Sequence, residues 1–228
     1  MRKHSKMYVE ALGNVEKNKS YDVTEAIKVL KSLKTRKFDE SVDAVLKLNI
    51  DAKKTDMNVR GSFVLPNGTG KTKRVLVITK TKASEASEAE YCGAEDMLEK
   101  IEKENWFDFD TMIATPDMMP LLGKIGRVLG PRGLMPNPKT GTVTLDVVKA
   151  INEVKAGRVE YRTDSYGNVH GIIGKASFSE EDLLENLNAF VSAILKVKPS
   201  TVKGDYVKNI AISSTMGPGI KVENTFDK

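Results

Sequence analysis

The sequence predicts a chain of mixed α/β and α+β class, in which one discontinuous α+β domain is interrupted by an inserted α/β domain. Three observations carry this. The outer segments, up to about Pro66 and again from about Val159, alternate apolar with polar residues, as antiparallel strands with one wet face do. The middle segment holds continuous apolar runs such as Arg74-Val75-Leu76-Val77-Ile78, expected of strands covered on both faces. Glycines gather where the style changes, at Gly68, Gly70 and Gly157, and these are the expected hinges. The expected domains are 1–67 with 159–228, and 68–158.

Taken in order, Asp22-Val23-Thr24-Glu25 has the spacing of a helix cap, and Val23, Ile27, Leu30 and Leu33 form an apolar helix face behind it. Residues 41–50 alternate: Val42, Ala44, Leu46, Leu48 and Ile50 point one way, Asp43, Lys47 and Asn49 the other. Residues 60–65 read as a second strand, stopped by Pro66-Asn67-Gly68. The middle segment then alternates strands at 74–78, 91–92 and 109–114 with helices at 83–90, 94–104, from 117, and 144–155, a pattern of parallel βαβ units. Strands at 159–162 and 169–173 flank the turn Asp164-Ser165-Tyr166-Gly167-Asn168. Ser179 caps a long apolar helix, and strands at 207–213 and 220–222 complete a sheet.

Composition excludes several classes. The single cysteine of this 228-residue chain, Cys92, rules out an internal disulfide and a cysteine-cluster zinc site, and is expected to be a small buried residue in a reducing cytosol. No apolar run is long enough to cross a bilayer. The basic start Met1-Arg2-Lys3-His4-Ser5-Lys6 is followed by no apolar stretch, so no secretory signal is expected. Charge is unevenly placed. Residues 1–82 are net +10, 83–117 net −9, 118–158 net +5, and 159–228 net −1. A nucleic-acid partner would meet the first and third blocks, and the acidic block would face away. The same charges also suit plain solvated faces.

Gly68-Thr69-Gly70-Lys71-Thr72 resembles the end of a phosphate-binding loop, but Leu65 stands where the first glycine belongs and a strand follows instead of a helix. A hinge is the better reading. A nucleotide-dependent enzyme built on the inserted domain would need a complete glycine fingerprint, which is missing. His4 and His170 have no partners at metal or triad spacing, and Asp108 and Asp110 read as strand-mouth carboxylates. No catalytic set, metal site or cofactor is expected.

Residues 123–141 are the densest signal: five glycines and three prolines interleaved with Lys124, Arg127, Arg132 and Lys139, and no acid. Backbone N–H groups and cations of this kind suit phosphate contact, and equally a rigid surface connector. Arg36-Lys37-Phe38-Asp39-Glu40-Ser41 sets cations beside an aromatic at a strand start, which suits an RNA grip if Phe38 is exposed and a core if it is not. Thr215-Met216-Gly217-Pro218-Gly219 reads either as an RNA-facing turn with an exposed Met or as an ordinary hairpin.

These segments, with Asn58-Val59-Arg60-Gly61, the Gly126 to Pro138 run, Lys155-Ala156-Gly157-Arg158 and Gly174-Lys175-Ala176-Ser177-Phe178, resemble the bacterial-type large-subunit ribosomal protein L-one family over essentially the whole chain. The resemblance implies an inserted domain of three-layer, Rossmann-like α/β form. It implies a ribosomal, cytoplasmic, non-enzymatic protein whose first domain binds ribosomal RNA at the mobile stalk beside the tRNA exit site. The implied RNA-binding residues are Lys37, Phe38, Ser41, Asp43, Lys47, Lys175, Thr215, Met216 and Gly217. Ser41 stands where several relatives have Thr, keeping the hydroxyl and losing a methyl. Further implied partners are exit-site tRNA and the chain's own operon messenger RNA, which it would repress; no membrane is implied, and the chain would be a monomer outside the ribosome. Arg127, Arg132 and Lys139 are the candidates for an auxiliary RNA or tRNA contact. A regulatory RNA-binder that never joins the ribosome fits the same residues.

Overall fold

The computed structural model describes residues 5–16, 19–33, 37–51, 57–80, 88–200, 202 and 204–226. In chain order its elements begin with α1 (Lys6–Gly13), α2 (Val23–Ser32), β1 (Ser41–Leu48), β2 (Arg60–Val64), β3 (Val75–Ile78) and β4 (Tyr91–Gly93). Next come α3 (Glu95–Glu104), β5 (Thr111–Ala114), α4 (Met119–Lys124), α5 (Gly126–Leu129) and α6 (Val147–Lys155). The chain closes with β6 (Arg158–Arg162), β7 (Asn168–Lys175), α7 (Glu180–Lys196), β8 (Val207–Ser214) and β9 (Ile220–Val222). The chain divides into two compact units, residues 1–70 with 159–228 and residues 71–158.

The first unit is a helix layer on a sheet. Its four strands are ordered β7-β1-β8-β9 and pair antiparallel. Alternation in β1 sends Val42, Ala44, Leu46 and Leu48 into the core and leaves the residues between them half-exposed. On the inner face, Ala26, Ile27 and Leu30 of α2 and Leu183, Leu187, Phe190, Val191 and Ile194 of α7 close the core. Each large apolar side chain so buried contributes roughly 1.5–3 kcal/mol. Asp22 caps α2 by accepting from the Thr24 N–H at 3.2 Å. In α7 the cap is reciprocal: Ser179 Oγ accepts from Asp182 N–H at 3.0 Å, and the Asp182 carboxylate accepts from Ser179 N–H at 3.3 Å. Strands β2 and β6 form a separate pair.

Pairing of β1 is irregular at two places, against β8 between Lys47 and Leu48 and against β7 near its start. Pairing of β1 with β7 slips between Val42, opposite Gly174, and Asp43, opposite Ile172. Gly174 has φ 152°, and a Cβ there would lie 2.9 Å from the Phe178 ring and 3.0 Å from Leu183. Only glycine fits. The bulge re-phases the end of β7, so that Lys175 comes out beside Ser41.

The second unit has a parallel sheet ordered β4-β3-β5. All four residues of β3 are buried. Leu76 and Ile78 pack with Leu98, Ile101, Met118, Leu122 and Leu129, while Val75 and Val77 pack with Val147, Ala150, Ile151 and Val154 of α6. Helices on both faces of a parallel sheet make three layers.

Several local expectations are corrected. The strand expected from 109 begins at Thr111, with Phe109 buried ahead of it. The helix expected from 117 is broken into a 3-10 turn at Pro116–Met118, then α4 and α5, in a stretch that holds Pro120, Gly123 and Gly126. The helix expected from 144 starts at Val147, with Thr144 Oγ1 accepting from Asp146 N–H at 3.1 Å ahead of it. Cys92 is exposed, not buried, because β4 lies at the edge of its sheet, where Tyr91 packs half-buried against the core and Cys92, next along the strand, faces the other way. The helix expected at 83–90 falls mostly outside the described residues; Glu88 to Glu90 form a turn.

Asn186, fully buried on α7, ties three backbone groups together. Its Oδ1 accepts from Asn67 N–H at 3.1 Å, and its Nδ2 donates to Gly68 O at 3.2 Å and Ile173 O at 2.8 Å. Asn186→Ala leaves these groups unpaired and is expected to cost about 2–3 kcal/mol. Urea unfolding reads it as a fall in midpoint at unchanged slope. A loss below about 0.5 kcal/mol, typical of a surface change, would show that the three groups do not depend on it.

Candidate nucleic-acid interface

The pleat of β1 decides what this face offers. Even-numbered residues point inward, and the same parity carries back to Glu40, which is 1% exposed. Its Oε2 accepts from the Met216 N–H at 3.1 Å, and its carbonyl accepts from Ala176 N–H at 2.8 Å. Odd-numbered Ser41, Asp43, Val45 and Lys47 point outward. Glu40, which anchors the turn carrying Met216, is the residue of this corner that sequence reasoning missed. The alternation that sorted Val42 to Leu48 was the signal that could have found it.

At the start of β1 three strand ends are locked together. Ser41 N–H donates to Thr215 Oγ1 at 2.9 Å, and Thr215 N–H donates to Ser41 O at 3.0 Å. Thr215 Oγ1 also lies 3.2 Å from Ser41 O. Lys175 Nζ donates to Ser41 Oγ at 2.9 Å and to Asp39 O at 3.4 Å. Asp39 in turn accepts from Ser177 N–H at 3.1 Å and Ser177 Oγ at 2.8 Å. Gly217 N–H donates to Ser214 O at 3.2 Å, and a Cβ on Gly217 would lie 2.5 Å from Ser214 Oγ, so a side chain here would require the Ser214 hydroxyl to turn away. On this pinned frame Phe38 is 51% and Met216 47% exposed. Two large apolar side chains are thus left in water on the frame that also holds Lys175. Phe38 is therefore not a core residue. Arg36 lies outside the described residues.

The rest of the outer face follows the sheet. Burial raises the Asp43 carboxyl above its usual range, against the opposing pull of His170 and Lys175. Lys47 Nζ donates to the carbonyl of Tyr166, itself 76% exposed in the turn before β7. That turn is organised by Asp164, which accepts from Tyr166 N–H at 2.8 Å, Asn168 N–H at 2.7 Å and Asn168 Nδ2 at 2.8 Å. These bonds, led by the Asn168 N–H, hold the Asp164 carboxyl down to about 2. All nine expected RNA-binding residues thus lie in the first unit, and Ser41, Lys175, Thr215 and Met216 are joined directly or through Glu40.

Arg127, Arg132 and Lys139 of the inserted unit are exposed, and the loop that carries Lys139 is built by its own hydrogen bonds. Asn137 N–H donates to Thr142 Oγ1 at 2.8 Å, and Asn137 Oδ1 accepts from Lys139 N–H at 2.8 Å. Arg132 stacks over the Phe107 ring with 3.7 Å between guanidinium carbon and centroid, while Arg127 sits on α5. Gly68, Gly70 and Gly157 flank the unit boundary with φ of 64°, 69° and 101°. Asp108 and Asp110 close on Arg74, at 3.5 and 3.4 Å. Among the described residues no group of three or more His, Cys, Asp or Glu could hold a metal, and no helix is long and apolar enough to cross a membrane.

Comparison with known proteins gives consistent matches. A family model described as the ribosomal protein L1p/L10e family matches residues 30–218. The large ribosomal subunit protein uL1 of Mycoplasma capricolum is 57% identical over 225 residues, covering 98% of this chain and 100% of that protein. The proteins of the same name from Mycoplasma mycoides and Mesoplasma florum are each 56% identical over 98% of this chain, and the match spans 100% and 99% of their lengths.

Asp164 supplies a pH test. Its folded value of about 2 lies below the ordinary 3.8, so its contribution to stability is present above about pH 4 and is lost as pH falls toward 2. Asp164→Asn is expected to be less stable than the parent at pH 6, with the gap closing between pH 4 and 2. A gap that stays constant across that window would mean the carboxylate is not what holds the turn.

Proposed function

The chain belongs to the ribosomal protein L1p/L10e family, and on that footing we propose that its first unit grips folded ribosomal RNA at the corner where β7, β1 and β8 end. It is a structural, non-enzymatic constituent of the large ribosomal subunit. The observation that carries the reading is the exposure of Phe38 and Met216 on a corner already rigid before RNA arrives. A pre-formed grip loses little conformational entropy on binding.

Each residue has a physical role in this reading. Lys37, Lys47 and Lys175 neutralise phosphates and release counterions, each worth a salt slope of about 0.7–0.9. Thr215 Oγ1, Ser41 Oγ and the Gly217 backbone face 2′-hydroxyls, which report A-form shape rather than base sequence. Phe38 and Met216 lie flat on ribose edges and exclude water, which strengthens those hydrogen bonds. Asp43, on the outward face of β1, accepts from a ribose hydroxyl. Because such a grip reads folded shape, a messenger from the chain's own operon with a similar fold would compete for it and be repressed. In the subunit the grip holds the mobile stalk beside the exit site, with Gly68, Gly70 and Gly157 as hinge. Arg127, Arg132 and Lys139 on the inserted unit add an auxiliary contact to RNA or to the departing deacylated tRNA.

Two measurements test this. Thr215→Val removes the acceptor for Ser41 N–H and the hydroxyl facing RNA. It is expected to weaken binding of a stalk rRNA fragment by about 1–3 kcal/mol while the chain stays folded. Undiminished affinity in a filter-binding titration overturns the grip. Changing Arg127, Arg132 and Lys139 together to Ala is expected to lower the salt slope for RNA by about 2. An unchanged slope removes the auxiliary role.

A further inference from the structure

Helices α2 and α7 leave a cleft of about 380 Å³ between them. It opens on the helical side of the first unit, away from the outer face of the sheet. Ile27 and Leu184 supply its apolar lining, and Glu180, Glu181 and Glu185 rim it with a single cation, Lys28. We propose that this cleft docks a basic amphipathic segment of a protein partner, seating an apolar side chain on Ile27 and Leu184 and an arginine or lysine among the three carboxylates.

The helix dipole alone does not account for the rim. It favours acids in the first turn, where Glu180 and Glu181 lie, but Asp182 already closes the cap and Glu185 falls beyond that turn. Glu181 and Glu185, four apart, share one helix face and bracket Leu184. Neither Glu180 nor Glu181 is paired with a cation among the described residues. Lys31, the next lysine along α2, is turned away and donates to Phe178 O at 2.7 Å. Glu185 accepts from Asn67 Nδ2 at 2.9 Å, which fixes it without neutralising it. Three negative charges against one therefore surround an apolar patch on a chain whose formal net charge is +5. This face repels RNA and attracts a basic segment. The volume is at the low end of the roughly 300–1,000 Å³ of ligand pockets, which suits an anchoring side chain of a helix or strand laid along the groove. The outer face of the sheet stays free, so RNA and the protein segment bind together.

The probe is the capped peptide Leu-Arg-Arg-Leu-Leu-Arg-Arg-Leu, titrated into the isotope-labelled full chain and followed by backbone amide shifts. Shifts are expected at Thr24, Lys28, Glu181 and Leu184, with an all-arginine peptide of equal length at least about fivefold weaker. Shifts centred on acidic α3, or equal binding of the all-arginine peptide, overturn the proposal. The double change Glu181→Lys with Leu184→Asp is expected to weaken the peptide at least about tenfold while rRNA-fragment affinity is retained, which also shows that the variant is folded. Peptide affinity within about twofold of the parent overturns the cleft. Undiminished RNA binding in the Thr215→Val variant with peptide binding at the cleft intact would sink the RNA reading alone.

Discussion

The two-residue period of β1 is the constraint on which the first unit depends. This central strand is hydrogen-bonded on both sides, to β7 and to β8. Its parity sends Glu40, Val42, Ala44, Leu46 and Leu48 inward and Ser41, Asp43 and Lys47 outward. A slip of one residue would exchange the two sets, burying lysine and exposing leucine. The register is therefore held by the core, and the polar face inherits its order from the apolar one. The bulge at Gly174 is the one place where the two strands fall out of step, and it brings Lys175 to Ser41.

Glu40 shows how core and surface are joined. A carboxylate at 1% exposure is costly, and only part of that cost is offset: Oε2 holds the Met216 N–H, while Oε1 is buried with no hydrogen-bond partner among the described residues. The turn beyond β8 is thus fixed from beneath by a residue of the opposite end of the chain. Thr215 and Ser41 fix it from the side. Phe38 and Met216 can stay in water without collapsing onto the core because the backbone beneath them is pinned.

The inserted unit solves a different problem. Strand β3 is buried on both faces and β5 nearly so, which leaves little sheet surface for contact. What it presents comes from connections, above all the Asn137-centred loop and the cation stacked on Phe107. The first unit, in contrast, offers two surfaces of unlike charge: a sheet corner rich in lysine, and a helical cleft rimmed by glutamates. Layering keeps the two apart, on opposite sides of the unit, so the unlike charges do not neutralise one another.

Much of this was legible in the residues alone. Alternation marked β1, continuous apolar runs marked β3, Asp22 and Ser179 marked helix starts, and the Phe38, Gly126 and Thr215 segments carried the family resemblance. Each is a local signal, set by backbone sterics and by a period of two or 3.6. The tertiary structure decided the rest. Whether Phe38 is core or surface, which hydroxyl receives Ser41 N–H, where Asn186 spends its amide, and that Cys92 lies on an edge are not written in any window of neighbouring residues. The bond from Ser41 to Thr215 spans 174 positions and that from Met216 to Glu40 spans 176. Only the pairing of β1 with β8 brings such groups within hydrogen-bonding distance, because a contact of that kind depends on the path of the whole chain and not on the residues beside it.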